Sequence, residues 1–236
     1  MKEKFEVKIY QESLQSNEVG DIAKIVERFF TTEFEIGKGD FSKVYKNYFN
    51  KTCFKVFSSQ FEQIRSADEE AHLLSLVAKL RSKNIANTPV PLYSIMPIDK
   101  SEKHPIIGRG FFVMQRIEGS TIKDIIDQKL DLPTSFKFED FFAKIGKFLQ
   151  AIHKEGIYHR DVHNGNIMIE ANTADPFVID FGNSVVFLEE EQKQIKEKIL
   201  DPYKISVRDK SFQLQDDFTG LEKSKQELKS FLTGEK

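Results

Sequence analysis

Two short strings hold the side chains whose types and spacing could do chemistry. Tyr158-His159-Arg160-Asp161-Val162-His163-Asn164-Gly165-Asn166 sets a carboxylate and an amide five residues apart, and Val178-Ile179-Asp180-Phe181-Gly182 adds a second carboxylate nineteen residues after the first. A carboxylate can orient a hydroxyl and take its proton. A carboxylate together with an amide oxygen offers the hard oxygen donors that a divalent cation of the magnesium type prefers. Each string alone also has an ordinary reading, because Asp-Phe-Gly is a common turn tripeptide and a His-Arg-Asp stretch could be a surface loop. Their order and setting argue otherwise: both lie beside short apolar runs, and an amphipathic helix precedes them.

That helix is marked by Phe141, Phe142, Ile145, Phe148, Leu149 and Ile152, an apolar stripe at helical spacing. The apolar runs at residues 166–170 and 177–179 read as strands. Upstream, residues 33–57 carry a strand-like pattern with polar turn residues inside it, which predicts a meander of two or three antiparallel strands. Residues 67–80 place Leu73, Leu74, Val77 and Leu80 on one helical face behind an acidic first turn. The proline-rich stretch 88–105 reads as a loop and edge strand leading into a second apolar strand at 110–117. Glu118, Gly119 and Ser120 then break the pattern, and a boundary between a sheet-rich and a helix-rich part is expected there. Residues 189–200, acidic first and basic later, suit a solvent-facing helix, and a last helix is expected from Asp217 towards Phe231.

Taken together, the two strings resemble the protein kinase superfamily, whose catalytic-loop pattern H-R-D-x-x-x-x-N and following D-F-G are both present intact. The resemblance implies transfer of the γ-phosphate of ATP, a reaction that needs placement and charge neutralisation more than covalent help from the protein. On that basis Asp161 takes the proton of the acceptor hydroxyl. Asn166 and Asp180 hold a divalent metal ion, magnesium or manganese in its place, against the phosphates.

The same resemblance asks for three features upstream, and each has a match. Ile36-Gly37-Lys38-Gly39-Asp40-Phe41-Ser42-Lys43-Val44 is similar to the glycine-rich loop that covers the nucleotide; Ile36, Gly37, Gly39 and Val44 become nucleotide contacts, with Ser42 where a third glycine often stands. Lys55 occupies the place of the strand lysine that neutralises the α- and β-phosphates. Its implied partner is Glu70, which matches an E-x-x-x-L spacing, with Glu69, one residue away on a different face, as the alternative. Phe111-Phe112-Val113-Met114 resembles the segment that joins the two lobes, placing Met114 beside the adenine and the backbone of Gln115 to Ile117 along its edge.

Some residues depart from the pattern. His163 replaces the lysine that serine/threonine kinases place two residues after the catalytic aspartate, and Asp-Val-His-Asn-Gly-Asn is similar to aminoglycoside phosphotransferases and atypical kinases. His163 then either contacts the transferred phosphate or satisfies a hydrogen bond within its loop. Arg160 resembles the arginine that pairs with a phosphorylated activation loop. No A-P-E sequence follows Asp180, and the 54 residues after Gly182 predict a shortened helical lobe, as in compact effector kinases of bacterial pathogens.

The expected fold is therefore α+β and kinase-like: an N-terminal extension at 1–30, an antiparallel-sheet lobe with one helix at 31–117, and a shortened, mainly helical lobe at 118–236. The expected activity is that of a minimal serine/threonine protein kinase using ATP and magnesium. A small-molecule or carbohydrate kinase and a non-catalytic pseudokinase are the alternatives. A protein substrate is implied, and an activating protein partner is conceivable by analogy with compact effectors. With 35 basic and 37 acidic residues the chain has no general attraction for nucleic acid or anionic membranes. Residues 1–10 lack the apolar run of a secretory signal or membrane span, so a cytoplasmic location is the expectation, with delivery into a host cell by a signal-less route as its variant. The single cysteine, Cys53, sits in an apolar stretch and reads as a small core residue in a reducing compartment.

Overall fold

In the computed structural model, residues 5–10, 32–38, 42–47, 50–57, 66–82, 84–97, 110–187, 189, 193 and 217–234 are described. Residues 33–57 form the expected meander: β2 (Glu35–Lys38), β3 (Ser42–Lys46) and β4 (Thr52–Phe57) pair antiparallel in turn. Further strands are β5 (Pro91–Pro97) and β6 (Phe111–Gln115). Period-2 alternation sorts the side chains between two faces. Tyr45, Phe54, Val113 and Tyr93 stand in register across β3, β4, β6 and β5, and with Ile95 and Phe111 they form one buried cluster. Val44, Lys55, Phe112 and Ser94 line up on the opposite face.

β1 (Phe5–Ile9), within the segment read as an extension, pairs with β5 and completes a six-stranded antiparallel sheet in the order β1-β5-β6-β4-β3-β2. The proline-rich stretch was expected to supply an edge strand. Instead β5 is internal, because Pro91 and Pro97 fall at its ends, where the missing N–H groups interrupt little of either ladder.

Helix α1 (Ala67–Ala78) packs on β5, β6 and β4 through Ala71, Leu73, Leu74 and Val77, while Leu80 lies past its end. Its start is capped locally. The Glu69 carboxylate accepts the Ser66 N–H at 2.9 Å, and the Ser66 hydroxyl donates to Asp68 at 2.6 Å. Lys8 of β1 reaches Asp68 at 2.5 Å, and the Tyr10 hydroxyl donates to the Asp68 carbonyl at 2.9 Å, so the first strand is tied to the first turn of α1.

The chain divides into two units, Met1–Ala78 with Pro89–Ile117, and Lys79–Thr88 with Glu118–Lys236. The second contains β7 (Gly119–Thr121), α2 (Ile122–Gln128), α3 (Phe138–Lys154), β8 (Ile157–Tyr158), β9 (Ile167–Glu170), β10 (Pro176–Val178), β11 (Val185–Val186) and α4 (Asp217–Thr233). All six residues of the predicted stripe are the buried residues of α3, which packs on β8, β10 and α4. The strands make a sheet ordered β10-β9-β7 and a β11-β8 pair. A capping box formed by Thr121 and Asp124 starts α2, and Lys129 in the left-handed region ends it. Among the described residues no helix is long and apolar enough to cross a membrane. The predicted helix at 189–200 falls almost wholly outside the described residues.

Gly119 shows what this strand pairing demands. A Cβ there would lie 2.1 Å from the Ile169 carbonyl oxygen and 3.0 Å from the Glu170 Cα, both backbone atoms of β9. Gly119→Ala is expected to cost about 3 kcal/mol of stability, measured by urea unfolding. Gly37→Ala, whose Cβ would meet Val44 at an ordinary 3.5 Å, should change stability by less than about 1 kcal/mol.

Candidate active site

Residues 159–166 connect β8 to β9, and their backbone is held by the first residue of α4. Asp217 has no solvent exposure. Its carboxylate accepts the N–H of Arg160 at 2.6 Å, the N–H of His159 at 2.9 Å, and a contact from His153 Nε2 at 2.8 Å. Three donors and a helix N-terminus compensate for the burial of this group. The anchoring also sustains an unfavourable backbone at Arg160, whose φ of 66° lies in the left-handed region that costs a non-glycine residue about 1–2 kcal/mol. Burial draws the Arg160 guanidinium pKa down, and the neighbouring Asp217 carboxylate opposes that shift. Residues 194–216, which include most of the segment an activation-loop role for Arg160 would concern, lie outside the described residues.

His159 joins this loop to the segment that follows β10. Its buried ring donates from Nε2 to the Ile179 carbonyl at 3.0 Å. A carbonyl can only accept, so the proton sits on Nε2 and Nδ1 is free to accept the Asp161 N–H at 3.3 Å. Phe181 meets the ring edge-on, with centroids 4.7 Å apart. A second link runs from the Ile179 N–H to the Asn166 carbonyl at 3.0 Å. Asp161, Asn166 and Asp180 are thereby brought together on one hydrogen-bonded framework.

Around Asp161, the Asn166 side-chain amide donates to the Asp161 carbonyl at 2.9 Å and to carboxylate Oδ2 at 3.2 Å. The Asn183 amide donates to the same Oδ2 at 3.1 Å. Asp180 has a φ of 65°, and its Oδ1 accepts the Gly182 N–H at 3.2 Å, a local turn that suits the strained backbone. With its nitrogen committed to Asp161, Asn166 has its amide oxygen to offer a cation. On the reading of these residues as metal ligands, that oxygen and the Asp180 carboxylate would supply a two-ligand, all-oxygen donor set. Magnesium accepts such a set when substrate phosphates and water complete its shell.

Of the two readings of His163, the hydrogen bond within its own loop is present. Nδ1 accepts the Gly165 N–H at 3.0 Å, while Nε2 lies 3.7 Å from Asp161 Oδ1. Gly165 is needed for this arrangement, because a Cβ there would lie 2.8 Å from the His163 ring. Asn164 is tied to α4 through Glu227 at 2.6 Å, and its carbonyl accepts the Lys123 N–H at 3.0 Å.

In the first unit, Lys55 and Glu70 form an ion pair at 2.7 Å with side chains only 5% and 2% exposed, and the Lys55 ammonium also lies 5.6 Å from the centre of the Phe57 ring. Glu69, the alternative partner, spends its carboxylate on the α1 cap instead. Gly37 pairs with Val44, and Ile36 is half exposed; Gly39 lies outside the described residues. Met114 pairs with Cys53. The Gln115 N–H donates to Val90 and the Arg116 N–H to Lys51, so two of the backbone donors expected along the adenine edge are used inside the unit.

The sequence reading did not assign a site role to His159, Asn183 or Asp217. The only sequence signal for Asp217 was its place at the start of a predicted helix.

Comparison with known proteins agrees with this geometry. The protein kinase domain family matches residues 30–231. A probable serine/threonine-protein kinase of Clostridium perfringens is 31% identical over 155 residues, covering 62% of this chain and 20% of that protein. The serine/threonine-protein kinase PknD of Chlamydia pneumoniae is 29% identical over 170 residues, 66% of this chain and 17% of that protein. A subunit of the EKC/KEOPS complex of Schizosaccharomyces pombe is 31% identical over 94 residues, 39% of this chain and 40% of that protein. The chain thus spans well under two thirds of the length of each of these relatives. With a family match over residues 30–231 and the catalytic-loop and D-F-G residues joined through His159, this chain belongs to the protein kinase domain family.

Proposed function

We propose that the chain is a serine/threonine protein kinase that transfers the γ-phosphate of magnesium-bound ATP to a protein hydroxyl. The observation that carries this reading is the buried Lys55–Glu70 pair. Burying two charges usually costs more stability than their attraction returns, so retention of the pair, unlike that of a surface ion pair, argues for use of the lysine. Lys55, held by Glu70, neutralises the α- and β-phosphates. Asn166 and Asp180 hold the metal ion, which supplies charge neutralisation on the phosphates when bound. Asp161 accepts the proton of the attacking hydroxyl. The serine/threonine assignment is supported by the names of the Clostridium and Chlamydia relatives. The buried Cys53 fits a reducing compartment.

Incubation with magnesium and ATP followed by mass spectrometry should show phosphate on serine or threonine, of the chain itself or of a protein panel. Asp161→Ala should reduce transfer by at least about a hundredfold with unfolding unchanged to within about 1 kcal/mol. Phosphate entering only sugars or aminoglycosides would replace the protein substrate with a small molecule, and nucleotide binding without turnover would make the chain a pseudokinase.

Lys55 and Glu70 variants should behave differently from Asp161→Ala, because each leaves a buried partner behind. Lys55→Ala and Glu70→Ala are each expected to lose both transfer and about 3–5 kcal/mol of stability, compared by activity and urea unfolding on the same preparations.

A further inference from the structure

The D-F-G pattern ends at Gly182 and assigns nothing to the next residue, yet the side chain of Asn183 turns back across 22 positions of sequence to the Asp161 carboxylate. On the reading of this chain as a kinase, we infer that Asn183 is a positioning residue that selects which oxygen of Asp161 takes the substrate proton. Two amides, Asn183 at 3.1 Å and Asn166 at 3.2 Å, converge on Oδ2. The Asn166 amide also grips the Asp161 backbone carbonyl at 2.9 Å. One donor alone would leave the carboxylate free to swivel about its Cβ–Cγ bond. A second donor, arriving from a different segment, fixes its plane. Among the described residues Oδ1 accepts no hydrogen bond, His163 Nε2 lying 3.7 Å away and beyond hydrogen-bond range.

The consequence for the reaction is specific. As the acceptor oxygen bonds to the γ-phosphorus, its proton passes to Oδ1. The bond from that phosphorus to the bridging oxygen breaks, and ADP leaves with the electron pair. Oδ2, already occupied by two N–H donors, is the poorer site for that proton.

The turn that places Asn183 also places Asp180. The Gly182 N–H donates to Asp180 Oδ1 at 3.2 Å, and the Ser184 N–H to the Phe181 carbonyl at 3.1 Å. One turn therefore sets both the cation-holding carboxylate and the second clamp on the proton acceptor. Asn183 is exposed, and an exposed amide could bond a neighbouring carboxylate without consequence. The test must separate that outcome from positioning.

Two substitutions do so. Asn183→Ala removes the donor, and Asn183→Asp keeps the shape while putting a second carboxylate beside Oδ2. Positioning predicts kcat lower by about tenfold in Asn183→Ala and by about a hundredfold in Asn183→Asp, with KM for ATP within about twofold of the parent. A purely structural residue would tolerate the isosteric aspartate better than alanine, and that order, or kcat within about twofold for both, overturns the inference. The contact is also read without turnover. The Asn183 side-chain amide resonances, assigned by their absence in Asn183→Ala, should move in the Asp161→Ala protein. If they do not move, the contact itself is refuted. A parent protein that shows this response but no phosphate transfer to any protein would instead refute the kinase reading.

Discussion

A carboxylate removed entirely from water is stable only if donors surround it, and Asp217 takes two backbone donors from the loop that carries Asp161 and a contact from His153 of α3. The energetics run both ways. The loop needs Asp217 because Arg160 adopts a left-handed backbone, and Asp217 needs the loop because an unpaired buried charge would cost several kcal/mol. His159 extends the constraint to the segment before Asp180, and Asn166 closes it by bonding back to Asp161. Placement of the reactive groups therefore depends on a few hydrogen bonds whose partners lie 57 and 58 residues apart in sequence. Local propensity does little of this positioning.

The first unit solves a comparable problem on a helix. Three acidic residues open α1 and serve three separate ends. Asp68 receives Lys8 from β1, Glu69 caps the helix, and Glu70 pairs with Lys55. Adjacent residues on a helix point about 100° apart, so three neighbouring carboxylates can face three directions without competing. The buried pair thus belongs to a helix whose first turn is fixed from two further sides.

What could be read beforehand followed from how far each signal extends. The α3 stripe was legible because six apolar residues repeat at one period over several turns, and those six are buried. The meander around β3 was legible from alternation and turn residues. The E-x-x-x-L spacing favoured Glu70 over Glu69 as the partner of Lys55, whereas the cap that Glu69 forms with Ser66 had no such signal. β1 was missed because five alternating residues carry no information about which sheet edge receives them. α2 is only seven residues long, although the Thr121 and Asp124 pair that starts it was available as a capping signal. The contacts of Asp217 and Asn183 were beyond reach because they are set by tertiary folding, and no periodicity encodes them. Gly39 and almost all of the charged stretch at 189–200 lie outside the described residues.

Cys53 is the sole cysteine of the sequence and is buried in β4, its pKa raised to about 12 by that burial. A thiol so seldom ionised is a poor nucleophile near neutral pH. The parent chain therefore provides a chemically silent background: a cysteine introduced at an exposed position would react with maleimide or spin-label reagents almost alone, and the native residue need not be removed first. Distance measurements between labelled positions in the two units thus begin from an unaltered protein.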